Sequence, residues 1–472
     1  MLIIANGIGL KNMIINLKNA VIKGTLILTA ASILSRVIGF FYRIFLTRYI
    51  GSEGMGLFQL VTPVIGIVFA ICSAGIQNGI SKYSASKKEN STWLFSGLLI
   101  SVPLATLISF VIYTNSEYIA TRFLLNKNCC ELLKMLSLSL PFASFHNCIN
   151  GFYFSHKKTA VPAASQLLEQ IVRVFTVFAY ASYCKSINQQ ITVICALYGN
   201  LAGEISSSVF CAMMLIIGKK VNFSTKEILP CSKTLIKFSI PLTVNRLLMH
   251  LLQSGESILI PAQLILYGHS NSEALSIYGI LNGMALPLIM FPTAITNSLA
   301  VMLLPEVSAA QAKDNKNAII NTLNKTITLC TVMGFLSSIF FLLIGGKIGS
   351  FLFNEPNVHT FILILAWLCP FLYLSTTLGS ILNGLGETTA TCFHSIFCVM
   401  LRIAFLVILV PKQGISGYLI GLLISQIALC VMHYIKLSRM FHIRRNPCGI
   451  ISDCTSRLFF SLINSSNINR RS

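Results

Sequence analysis

Eight ionisable side chains, Arg36, Arg43, Glu169, Arg173, Glu204, Arg246, Glu256 and Arg402, stand inside stretches that are otherwise apolar. A charge in hydrocarbon costs free energy, so such residues face a cavity or a partner rather than lipid. Five are arginines and three are acids. Guanidinium carries its donors in a planar fork that grips two oxygens of a phosphate or pyrophosphate at once, so an excess of arginine in a sequestered space suits that chemistry. Arg36 and Arg43 are seven residues apart, two helical turns, and so share a face. For Arg36, Arg43 and Arg246 two readings stand side by side: contact with a diphosphate, or snorkelling and helix locking. Glu169 and Arg173, one turn apart, are expected to neutralise each other. Glu204 and Arg402 are grouped with them as structural intramembrane charges.

The elements that must position these residues are membrane-spanning helices. The chain is 54% hydrophobic and only 10% charged, against about 25% charged in ordinary soluble domains. Its apolar residues come in blocks of the length a helix needs to cross a bilayer, rather than in short alternating strands, which excludes an outer-membrane barrel. Twelve spans are expected, near 24–46, 58–80, 92–114, 135–154, 161–182, 191–217, 235–260, 276–303, 326–345, 359–383, 391–410 and 416–436. The fold class is therefore an all-α polytopic membrane protein with about 12 transmembrane helices in two six-helix bundles. The expected organisation is an N-terminal segment (1–23), a first bundle (24–217), a linker (218–234), a second bundle (235–436) and a basic tail (437–472). Residues 1–10 are too short to span and are followed by Lys11, Lys18 and Lys23, so no cleaved signal peptide is expected.

The net charge of +21 raises the question of nucleic acid, and the placement of the charges answers it. With loops assigned alternately and the N-terminus inside, 23 Lys and Arg fall on one side and 7 on the other. That asymmetry sets topology, with both termini cytoplasmic, and leaves no basic surface in need of nucleic acid.

No catalytic, metal or cofactor site is expected. The fifteen cysteines are scattered singly through apolar spans, where a thiol behaves as a small hydrophobe. Cys392 and Cys398 lack ligand spacing, and Cys129–Cys130 is a vicinal pair in an expected outside loop. His146, His250 and His394 read as satisfied core residues. The only aspartates, Asp314 and Asp453, lie outside the spans, so the aspartate-rich metal cluster of a membrane-embedded transferase is missing.

An internal repeat links the halves. Pro141, Phe142, Thr159 and Arg173 recur as Pro370, Phe371, Thr388 and Arg402, all 229 positions on. With six spans each, the halves share one orientation.

The run Gly24–Ala31, followed by Ser35–Arg36, Gly39–Phe40, Tyr42–Arg43 and Ile50–Leu57, resembles the start of stage V sporulation protein B-like members of the multidrug/oligosaccharidyl-lipid/polysaccharide (MOP) exporter superfamily. Its second-half counterpart is Ile260–Leu264, Glu273–Gly279, Gly283–Ala285 and Leu303–Glu306. The resemblance covers about residues 23–436 and extends to the lipid II flippases. It implies two bundles in a V around a central cavity, and basic residues of spans one and seven on a headgroup diphosphate. It also implies a role in supplying a lipid-linked (undecaprenyl-diphosphate) precursor for spore cortex peptidoglycan. The implied partners are that lipid-linked oligosaccharide, the bilayer and cell-wall synthesis enzymes. Two departures stand out: relatives continue into two further spans where this chain has a basic tail, and Glu256, the possible coupling acid, replaces an expected aspartate. The alternative is a cation-coupled multidrug exporter of the same superfamily, which would need Glu169, Glu204 or Glu256 free of arginine.

Overall fold

The computed structural model describes residues 2–85, 91–218, 224–293, 296 and 316–441, with side chains from Ile27 onward except at 316–318 and 322. The expected tail beyond Phe441, the Leu303–Glu306 motif, Asp314 and Asp453 lie outside the described residues.

Every regular element among the described residues is helical. Helix α1 (Leu2–Phe69) passes through a π-helical turn (Ala70–Ala74) into α2 (Gly75–Ser84). Then come α3 (Thr92–Thr114), α4 (Cys129–Ser137), α5 (Leu140–Ser155), α6 (Ala160–Ser186) and α7 (Ile194–Ile217). Helix α8 (Thr225–Tyr267) leads to α9 (Asn271–Tyr278) and, after a π turn (Gly279–Ala285), to α10 (Leu286–Met290). The rest of the chain forms α11 (Lys316–Phe340), a π turn (Phe341–Gly345), α12 (Gly346–Phe353), α13 (Val358–Leu365), α14 (Cys369–Gly384), α15 (Thr388–Gln413) and α16 (Ile415–Phe441).

Eleven of the twelve expected spans fall on these helices, and so does the described part of the eighth, whose residues beyond 296 lie outside the described residues. Nine stretches among the described residues are long and apolar enough to cross a membrane, and one of them, Ile27–Ser84, holds two expected spans. The two expected spans that fall short do so for physical reasons. Helix α5 has only 16 residues after a break, and Glu169, Gln170 and Arg173 dilute the apolar run of α6. Gly51 is the break between the first two spans; its φ of 70° is open to glycine without strain. Outward-facing apolar side chains such as Phe110, Phe175 and Ile216 are 68%, 70% and 74% exposed. That surface suits lipid and not water.

Contacts divide the chain into Met1–Ile258 and Leu259–Ser472, with the division inside α8. Small residues explain it. A Cβ on Gly75 would lie 2.9 Å from the Ser239 carbonyl oxygen, and one on Gly79 would lie 2.9 Å from Leu235 Cδ2. Bare glycines thus let the first part of α8 lie against α2. The Ser224 amide donates to Thr92 Oγ1 at 3.0 Å, and Ser96 Oγ donates to the Ile228 carbonyl at 3.1 Å, tying the start of α8 to α3.

The repeat is visible inside each unit. In the first, the fourth span breaks between α4 and α5, and Ser109 Oγ donates to the freed Ser137 carbonyl at 2.6 Å. In the second, the break lies between α13 and α14, and Ser338 Oγ donates to the Ala366 carbonyl at 2.7 Å. Both donor and acceptor are 229 positions on. Pro141 and Pro370 stand at the first turn of α5 and α14, where a missing N–H costs nothing.

Candidate functional site

The site in the first unit is built by the approach of α6 and α7. A Cβ on Gly199 would lie 2.9 Å from the Arg173 carbonyl oxygen, and one on Gly203 would lie 2.9 Å from that of Glu169. This small-xxx-small stripe brings the α6 backbone against α7 at the turn that bears the charges. One turn further along the same stripe, Ser165 and Ser207 hydrogen-bond at 2.5 Å.

Four ionisable side chains from three helices gather there. Arg173 Nη2 donates to Glu169 Oε1 at 2.5 Å, and both side chains are less than one-fifth exposed. His146 Nε2 meets Glu204 Oε2 at 2.8 Å, and Asn150 Nδ2 lies 3.4 Å from His146 Nδ1. His146, Glu169 and Glu204 each offer one ligand atom within 4.8 Å of the others, so this is where a cation could be held. From sequence His146 reads as an isolated core residue; nothing in its spacing signals that it meets Glu204, 58 residues away.

Beside this cluster lies a cavity of about 220 Å³. Its polar wall comprises Tyr42, Arg43, Thr62, Gln170, Arg173 and Asn200, and its apolar wall includes Leu46, Phe58 and Leu197. No carboxylate lines it among the described residues. Thr62 spends its hydroxyl on the Phe58 carbonyl at 2.7 Å. Tyr42 is nine-tenths buried and shares the cavity wall with Arg173 and Arg43. Its hydroxyl, like Nε of Arg173, is buried without a hydrogen-bond partner among the described residues.

The sequence candidates are thus distributed unequally. Arg43 and Arg173 share the cavity. Arg36 is exposed on the α1 face that carries Gly39 and Arg43, one turn before Gly39 reaches the cavity wall. Arg246 is exposed on α8, one turn before His250, whose ring packs against Gly66 of α1. Glu256 is buried. Arg402 is half-buried on α15 in the second unit. Tyr42, Gln170 and Asn200 are functional candidates that sequence reading passes over, because a tyrosine or amide in an apolar span looks like any other interior residue. Of the vicinal pair, Cys129 is fully buried and burial pushes its thiol up to about 12, while Cys130 lies 3.5 Å from Ser116 Oγ.

The second unit holds the same frame without the acids. Ser375 stands 229 positions after His146 and Cys398 229 after Glu169; Gly421, Ser425 and Gln426 follow Gly199, Gly203 and Glu204 by 222. Gln426 Nε2 donates to Ser375 Oγ where Glu204 meets His146.

The family model for polysaccharide biosynthesis proteins matches residues 21–311, well over half of the chain. The chain belongs to the polysaccharide biosynthesis protein family. The MatE model matches residues 224–408. Stage V sporulation protein B of Bacillus subtilis (strain 168) is 24% identical over 442 residues, covering 90% of this chain and 85% of that protein. Lipid II flippase MurJ of the same organism is 21% identical over 459 residues, covering 90% and 83%. Among solved structures, an inward-facing multidrug resistance MATE family transporter of the MOP superfamily superposes with a TM-score of 0.67 at 17% identity, over 87% of this chain and 96% of that one. A MOP superfamily transporter from Pyrococcus furiosus, reported with a binding pocket of reverse polarity, gives 0.64 at 15% identity over 89% and 96%. The fold is that of MATE transporters and the family is that of polysaccharide biosynthesis proteins, and with nine apolar stretches long enough to cross a membrane among the described residues the chain is a multi-pass membrane protein.

Proposed function

We propose that this chain flips an undecaprenyl-diphosphate-linked cell-wall precursor across the cytoplasmic membrane, with both termini in the cytoplasm, and that the precursor serves spore cortex peptidoglycan. The observation that carries the reading is the excess of arginine within the spans, with Arg36 and Arg43 on one face of α1 and Arg246 on α8. Guanidinium suits a diphosphate, and the names of the relatives point the same way. Arg36, Arg43 and Arg246 are the residues assigned to the headgroup, and Glu256 to ion coupling.

The MatE match supports a second reading, a cation-coupled multidrug exporter. Such a site needs an acid open to a cationic drug. Glu169 is taken by Arg173, Glu204 by His146, and Glu256 is buried, so the flippase reading is preferred.

Liposomes holding the purified protein test both. Transbilayer movement of a fluorescent undecaprenyl-diphosphate sugar is expected, with affinity per folded molecule falling about ten- to a hundredfold in Arg36→Ala and in Arg246→Ala. Efflux of a cationic dye without movement of the lipid would replace this reading with the exporter.

A further inference from the structure

We infer that His394 and His433 form an acid-sensitive joint in the second unit: uncharged, the two imidazoles let α16 close on α14 and α15, and a proton on either one opens that closure. The inference goes beyond the flippase reading and does not depend on it.

The pair is set by the register of two helices that follow one another through Gly414. His394 stands near the start of α15 and His433 near the end of α16, and their ring centroids lie 5.2 Å apart. His433 is 3% exposed. It reaches α14 because residue 379 is glycine: a Cβ there would lie 3.1 Å from His433 Cε1. Nδ1 of His433 lies 3.2 Å from the Ser375 carbonyl oxygen. A carbonyl only accepts, so Nδ1 carries the proton and Nε2 of the neutral ring is a bare lone pair. Nε2 of His433 and Nδ1 of His394 are both buried without a hydrogen-bond partner among the described residues. A proton added at either nitrogen charges a ring where no acceptor meets the new N–H.

The surroundings do not offset that charge. Lys436, one turn beyond His433, is itself a cation, and it holds the Glu387 carboxylate at 3.0 Å. The other titratable or charged groups within about two turns of the pair are Cys392, Cys398 and Arg402 on α15 and Cys430, Tyr434 and Arg439 on α16. None is a carboxylate. Helix α14 brings Cys369 and Tyr373, at its opposite end, and α11 meets this core through Ile319, Leu323 and Ile327 while its Lys325 is exposed. A buried charge without a counterion is strongly unfavourable, whereas an opened joint gives the imidazolium to water. Protons therefore favour the open form, and the closure weakens as the pH falls.

The first unit makes the matched contact with other chemistry. Positions 165, 150 and 211 correspond to 394 and 379, 229 residues on, and to 433, 222 residues on. There Cys211 Sγ lies 3.4 Å from Ser165 Oγ and 3.6 Å from Asn150 Oδ1. A serine, an amide and a thiol take up no proton in mild acid. The contact is thus insensitive to acid in one unit and carries two titrating rings in the other.

The test follows hydrogen exchange of the purified full-length protein in detergent between about pH 8 and pH 4, with each rate divided by that of an unstructured chain at the same pH. In wild type, protection across 388–400 and 426–441 is expected to fall by up to about tenfold per pH unit, the slope of one proton taken up on opening. It is expected to return when the pH is restored, while α3 keeps its protection throughout. His394→Gln combined with His433→Gln cannot charge and still offers Ser375 an amide N–H, so the fall is expected to vanish. Lys436→Gln removes a positive charge and releases Glu387, so the fall is expected to move to lower pH. Should the double variant fail to fold, Lys436→Gln decides, and an unmoved midpoint overturns the proposal. Wild-type protection that stays level, that rises in acid as if the rings shared a proton, or that falls equally in α3 overturns it too, as does a fall that survives in the double variant.

Discussion

Removing Arg173 is expected to hurt the protein more than removing the charge of its partner, because of what lies behind Glu169. The two side chains are 19% and 16% exposed and meet at 2.5 Å. In Arg173→Leu the Glu169 carboxylate loses its counterion and is left facing Glu204, with one oxygen of each no more than 4.8 Å apart. At an effective dielectric constant of about 20, two unit charges at that distance repel by about 3–4 kcal/mol. The unfolded chain in detergent finds other partners for its charges, which trims what is measured. A destabilisation of about 3–5 kcal/mol is therefore expected, as for other broken buried pairs. Glu169→Gln keeps an acceptor for the guanidinium and removes the facing carboxylate, so its cost is set at about 1–2 kcal/mol by the weakened hydrogen bond. The double variant carries neither charge and is expected to be more stable than Arg173→Leu alone. A denaturant titration of the four proteins in mixed micelles, followed by tryptophan emission, closes the cycle. Equal losses in the two single variants, or strict additivity in the double, would refute the repulsion between Glu169 and Glu204.

Gly203→Ala places a Cβ 2.9 Å from the Glu169 carbonyl oxygen and is expected to destabilise by about 1–3 kcal/mol through overpacking. Gly255→Ala meets nothing within 4 Å and is expected to stabilise by up to about 1 kcal/mol through helix propensity; melting curves that rank them the other way would contradict the packing of α6 on α7. Ser109→Ala and Ser338→Ala each orphan a buried carbonyl at a helix break and are expected to cost a similar amount, about 1–3 kcal/mol, in the same melting assay. For topology, Cys130 and Cys392 are the described cysteines that are not buried. With both replaced, an impermeant thiol reagent added to intact cells is expected to label Ser272→Cys and to leave Lys226→Cys untouched; the reverse pattern overturns the assignment of the basic side to the cytoplasm.

What is legible in the sequence follows from how the information is carried. Span positions depend on the local density of apolar residues, and so the expected spans find helices wherever the residues are described. The 229-residue offset is legible because prolines and arginines are conspicuous in apolar runs. Its deeper content, Ser109 and Ser338 serving the broken spans, is not, since serines are common in membrane helices and only packing shows which carbonyl each one meets. The close approach of α8 to α2 is likewise hidden, since it rests on bare Gly75 and Gly79, and glycines are unremarkable in an apolar run. The pairing of Glu169 with Arg173 is local and readable. That of His146 with Glu204 spans 58 residues and depends on α5 and α7 meeting in space.

The comparison of the two repeats bears on why the first unit holds acids at all. At matched positions the second unit has Ser375 for His146, Cys398 for Glu169 and Gln426 for Glu204, while Arg402 stands where Arg173 does. Its α15 and α16 still pack through small residues: a Cβ on Gly421 would lie 2.5 Å from Phe405 Cβ, and one on Gly417 2.8 Å from the Leu409 backbone. A neutral hydrogen bond between Gln426 and Ser375 does the joining there. A frame that assembles without acids does not require them for folding, and buried ion pairs are weak stabilisers compared with neutral replacements of the same shape. Holding Glu169, Glu204 and His146 within 4.8 Å of one another is therefore a cost that packing alone does not explain. The cluster instead anchors one edge of the Arg173 guanidinium beside a cavity that has Arg43 and Tyr42 on its wall. On that argument the acids of the first unit orient Arg173, and the second unit, joined through Gln426 and Ser375, does without them.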